Sequence, residues 1–202
     1  MSIDKIYVSS AAALLLGALY FFDDTGILSA VLPAVLVHEL GHMLALWSFG
    51  AKLSKLHVLA SGLKMDYSGS LCPHEELIAA LAGPGFGLAY AWIASALGIK
   101  LDSEFLLCSG GVSFILSIFN LLPAGPLDGG ICLAFLLSLL TSNELLIDKI
   151  VFVSGLFISL AIFTAGIFLA LQGLGAGLAS AGIWIFLLSC KDACKNNGVR
   201  IK

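Results

Sequence analysis

Apolar runs of bilayer-crossing length recur along this chain, and they constrain its fold more than any other feature. They are Ile6 to Phe22, Ile27 to Phe49, Leu77 to Ile99, Phe105 to Leu122, Ile150 to Leu171 and Leu174 to Cys190. A helix needs about 20 predominantly apolar residues to cross the hydrocarbon layer, where only helices and closed barrels satisfy their own backbone. A barrel would show alternating segments of about 10 residues instead. The expected fold class is therefore an all-α polytopic membrane protein of about six transmembrane helices. Composition agrees: 59% of the 202 residues are hydrophobic and 11% charged, against about 25% charged in a soluble domain. A net charge of -3, with ten basic residues thinly spread, offers no cluster for nucleic acid. Cys72, Cys108, Cys132, Cys190 and Cys194 lack the spacing of a disulfide framework or zinc ribbon and read as small apolar residues.

A shorter run, Ile131 to Leu140, is too brief to cross unaided, and the basic residues say where it lies. If it stays on one side and the N-terminus is inside, Lys5, Lys52, Lys55, Lys64, Lys149, Lys191, Lys195, Arg200 and Lys202 are all inside and only Lys100 is outside. Making it span moves Lys149 and the last four across. The positive-inside rule favours the first arrangement, with both termini cytoplasmic and a short interfacial helix on the inner face. Ile6 to Phe22 is followed by Asp23 and Asp24 rather than a cleavage site, and reads as an uncleaved first span. One integral-membrane domain is expected over residues 1–190, with its core at 27–130, and a basic cytoplasmic tail over 191–202. Between Gly50 and Pro73, Leu56, Val58, Leu63, Met65 and Tyr67 alternate with Lys55, His57, Lys64 and Asp66. That period-2 pattern predicts a membrane-associated β-hairpin with one wet face, between Leu53 and Tyr67.

Two segments depart from plain membrane helix. His38-Glu39-Leu40-Gly41-His42 lies within the second run. Residues four apart on a helix differ by about 40° in direction, so both imidazoles can face one metal, and Glu39 is near enough to act on a water there. Counting from Trp47 and Phe49 at the inner interface places His38 roughly 14 to 17 Å deep. Buried charges at such depth cost about 2.5 to 3.5 kcal/mol each, which makes them a functional signal; a hydrogen-bonded knot between helices would need neither this order nor this spacing. The second segment, Asn120 to Gly130, reads NLLPAGPLDGG, and its prolines and glycines forbid continuous helix. Irregular backbone at that level needs a buried or cavity-lining role. A catalytic zinc wants three protein ligands, and Glu75, Glu76, Asp66, His74, His57 and Asp128 are the candidates for the third. Asp128 is favoured, because the fourth run returns to the side of the membrane that carries His42. Cys72 and His74 read as ordinary residues at the water boundary.

His-Glu-Leu-Gly-His in a membrane helix, followed about 80 residues later by Asn120-Leu-Leu-Pro-x-x-Pro-Leu-Asp128-Gly-Gly, resembles the site-2 protease family of intramembrane zinc metalloproteases. The resemblance implies a zinc held by His38, His42 and Asp128, with Glu39 as general base and Asn120 bordering the substrate cleft. The compact layout, with Gly83-Pro84 in the third span, is similar to the sporulation-type subgroup that cleaves a membrane-tethered sigma-factor precursor. The chain departs from the family in having Gly87 where Gly-Pro-x-x-Asn is frequent, and Ile131 where Arg or Lys often follows Asp-Gly-Gly. The function implied is zinc endopeptidase action on a membrane-tethered protein near the cytoplasmic face of the cell membrane, with a further membrane protein as regulator. A zinc transporter or sensor bundle is the competing reading, but the chain shows one metal motif and no internal repeat. A non-catalytic scaffold is disfavoured by the intact motif.

Overall fold

The computed structural model describes residues 5–9, 23, 26–59, 62–68, 71–173 and 175–199. The order is β1 (Lys5–Val8), α1 (Ile27–Ser48), β2 (Lys52–Leu59), β3 (Gly62–Ser68), α2 (Pro73–Leu101), α3 (Glu104–Asn120), α4 (Asp128–Ser138), α5 (Glu144–Leu171) and α6 (Gly177–Val199). The chain divides into two compact units, Met1–Phe119 and Asn120–Lys202. Helices α1, α2 and α5 are each long and apolar enough to cross a membrane; α3, α4 and the apolar part of α6 are shorter.

In the first unit the helix ends follow local chemistry. Asp23 accepts hydrogen bonds from the Ile27 and Leu28 N–H groups at 3.1 and 2.7 Å, neutralising the exposed start of α1. Pro73 opens α2, and the Glu75 carboxylate reaches back to the Cys72 N–H at 2.7 Å. Packing is inverted relative to a soluble protein. Trp92 and Ile99 are 77% and 76% exposed, whereas Ala34, Ser109, Ser113 and Ser117 are fully buried. Lipid is as apolar as any core, so helices gain by bringing small residues together and leaving large ones outside. The buried faces are accordingly Ala30, Ala34, His38 and Gly41 on α1, and Ala80, Gly83, Gly87, Ala91, Ala94 and Gly98 on α2. Serines on α3 use the close approach: Ser109 Oγ donates to the Ala30 carbonyl at 2.8 Å and Ser113 Oγ to the Gly87 carbonyl at 2.9 Å.

The hairpin is present, and it belongs to a three-stranded sheet in the order β1-β2-β3. β2 pairs antiparallel with β3, Leu56 opposite Met65 and His57 opposite Lys64, with one irregularity between Leu53 and Lys55. The unexpected strand is β1, which pairs parallel with β2 through Ile6↔Leu56 and Tyr7↔His57. The first apolar run therefore opens as a strand and not as a helix. Ile6, Tyr7 and Val8 favour extended backbone, and β2 offers them an unpaired edge. The remainder of that run, residues 10–22, lies outside the described residues.

In the second unit, α4 is an 11-residue helix, the short element expected from Ile131 to Leu140. The loop before it is tightly folded: a Cβ on Gly129 would collide with the Leu121 and Leu122 carbonyls, and one on Gly130 with the Ala124 carbonyl. Ser154 Oγ on α5 hydrogen-bonds the Pro123 carbonyl at 2.6 Å, tying this loop down. α5 and α6 meet where Gly166 faces Ala179 and Gly182 faces Phe163, again through absent side chains.

Candidate metal centre

Helix α1 presents both histidines on the side that faces α2. His38 continues the buried row of Ala30 and Ala34 one turn on, and is itself 5% exposed. His42 lies one further turn along. The His42 ring is set by a hydrogen bond of 2.7 Å between Nδ1 and the Ala79 carbonyl of α2. A carbonyl only accepts, so Nδ1 carries the proton and Nε2 presents its lone pair. That lone pair points at His38, whose Nε2 is 3.2 Å away, with the rings edge to face at 4.9 Å between centroids.

The separation fits a metal. Two nitrogens bound to one tetrahedral zinc at about 2.0 to 2.1 Å stand roughly 3.3 to 3.4 Å apart. Asp128 is the first residue of α4 and half-buried. In the first unit His38 and His42 bring two imidazole nitrogens together within one turn of α1. Two imidazoles and one carboxylate are a donor set that suits zinc. Glu39 follows His38 on α1 and is half-buried. Asn120 is the last residue of α3.

Of the other candidates for the third ligand, His57, Asp66 and Glu75 are engaged elsewhere. His57 Nε2 lies 3.0 Å from Asp66 Oδ2 on the sheet, and the ring stacks on Tyr7 at 5.2 Å between centroids. Glu75 caps α2. Cys72 and His74 sit exposed at the helix start. Two features of the site carry no side-chain signal in the sequence: the Ala79 carbonyl that orients His42, and Gly83, where a Cβ would fall onto the His42 ring. Gly83, Gly87 and Gly110 let neighbouring helices approach closely, whereas a Cβ on Gly85 or Gly111 would meet nothing within 4 Å.

The fold and the site together define a membrane protein whose potential metal-ligand group draws two histidines from one turn of an apolar helix. The particular fold is that of the site-2 proteases. The chain is similar to the solved site-2 protease of Methanocaldococcus jannaschii, with a TM-score of 0.70 and 22% identity, covering 93% of this chain and 90% of that one. It is also 28% identical over 127 residues to a protein of Synechocystis sp. provisionally described as a zinc metalloprotease. That match takes in 59% of this chain and 34% of the relative, so the chain spans about a third of that protein's length. Compared with protein-family models, the chain matches none.

Proposed function

We propose that this protein is an intramembrane zinc endopeptidase that cuts a membrane-tethered protein near the cytoplasmic face and releases its soluble part. The observation that carries the reading is the His38–His42 pair, with two Nε2 atoms converging at 3.2 Å in an apolar helix. The fold of a solved site-2 protease and the likeness to the Synechocystis protein support it. In this reading His38, His42 and Asp128 hold one zinc ion. When bound, zinc supplies Lewis acidity, making a water nucleophilic near neutral pH and stabilising the negative charge that develops on the scissile carbonyl.

The remaining steps belong to the chain. Glu39 takes the proton of the attacking water and passes it to the departing amine, a general-base and then general-acid role. The Ala79 carbonyl keeps the His42 proton on Nδ1, so that Nε2 remains a ligand throughout. A helical substrate hides its peptide groups in its own hydrogen bonds and must unwind locally to be cut. An edge of the three-stranded sheet gives the extended segment a strand to pair with, and Asn120 gives its freed backbone a further partner. The sporulation-type layout points to a precursor of a transcription or sigma factor as substrate, under control of a second membrane protein.

The test is Glu39→Gln in the full chain. The variant keeps one zinc per protein and loses cleavage of a tethered substrate by at least about 100-fold, the scale of a missing general base. Turnover near that of the unaltered protein would sink the mechanism.

A further inference from the structure

Helix α2 does more for the candidate metal centre than pack against it. At Gly83 the space that a side chain would fill is held by the His42 ring, with Nε2, Cε1 and Cδ2 as the three nearest atoms to where a Cβ would stand. One turn earlier the Ala79 carbonyl accepts the His42 Nδ1 proton at 2.7 Å. The ring is thus confined on its flat side by a missing methyl and at its edge by a backbone oxygen. Both constraints come from the same stretch of α2. Pro84 follows Gly83 directly and has no N–H to offer Ala80, so one helical hydrogen bond is missing at the turn beside this contact. On the α1 side, Gly41 lets the Ala82 carbonyl come within 2.5 Å of where its own Cβ would be.

We propose that Gly83 is a positioning residue: with the Ala79 carbonyl it forms a seat on α2 that holds the His42 ring in the one orientation from which Nε2 reaches the metal. This rests on the reading of His38 and His42 as zinc ligands. Any side chain at position 83 pushes the ring off the seat, breaking the bond to Ala79 and turning Nε2 away from its partner. Gly85 supplies an internal control. It lies two residues on in the same helix, and a Cβ there meets nothing within 4 Å. Alanine favours helix over glycine at both positions, so a difference between them reports the packed surroundings of Gly83, where the three nearest atoms to a Cβ all belong to His42.

The experiment compares Gly83→Ala with Gly85→Ala in the purified full-length protein, by zinc competition against a chromophoric chelator and by the visible spectrum of the cobalt-substituted site. Gly83→Ala weakens zinc binding by about 10- to 100-fold, the range for loss of a ligand-orienting contact, and alters the cobalt bands; Gly85→Ala does neither. If Gly83→Ala does not accumulate, adding His42→Ala, which removes the ring that the methyl meets, restores accumulation to the level of His42→Ala alone. Equal zinc affinity and identical cobalt spectra in the two glycine variants overturn the seat, as does failure of the double variant to recover. An unaltered protein that binds no zinc overturns the metal reading and the seat with it, whereas normal zinc binding with matched glycine variants overturns the seat alone.

Discussion

In the proposed zinc site of His38, His42 and Asp128 only the aspartate brings a formal charge, so it would do the most to offset a dication in a low-dielectric setting. Asp128→Asn preserves shape and removes that charge. Zinc affinity, measured by chelator competition, is expected to fall by more than about 100-fold, beyond the range for loss of an orienting contact. An unchanged affinity would point to a different third ligand. At this scale the sequence is informative wherever side-chain chemistry is distinctive. His38, Glu39 and His42 stand out by spacing alone, and Asp128 by following the proline-broken segment that ends where α4 begins. What is not legible is the backbone and the empty space around them. Ala79 acts through a carbonyl that every residue possesses, and Gly83 reads in sequence like Gly85, which meets nothing.

Between elements, the first unit is held by α3 serines set into glycine gaps of α2. Ser113 Oγ bonds the Gly87 carbonyl, and a Cβ on Gly87 would strike Ser117 Oγ. Hydrogen bonds of this kind within membranes average about 0.6 kcal/mol, so Ser113→Ala is expected to cost about that much in reversible unfolding in bicelles. Gly87→Val should cost several times more, because it separates the helices instead of removing one bond. Equal effects would mean that the gap is not a packing constraint. Helix existence was readable from apolar runs, and the hairpin from its alternation. The strand at Lys5–Val8 was not, because it is apolar enough to pass for the start of a span and becomes a strand only when β2 lies beside it. Pairing is a relation between segments, and no window of sequence contains both.

For the whole molecule, the distribution of basic residues predicts cytoplasmic N- and C-termini, with Lys100 on the far side. A reporter fused after Lys202 that is active only in the cytoplasm should be active, and one inserted after Lys100 should be silent; the reverse pattern would overturn this orientation. Composition and periodicity by themselves pointed to an apolar solvent, to the approximate places of the described helices and to the histidine pair on α1. These are legible because each depends on the kind of residue present and on short-range spacing along one helix. Only the tertiary structure decided that the His42 ring rests on Gly83, that its proton goes to the Ala79 carbonyl, and that β1 completes a sheet. Those features arise where segments far apart in sequence come within a van der Waals radius of each other, and in a bilayer the contacts are made by small residues and backbone, which look alike in sequence.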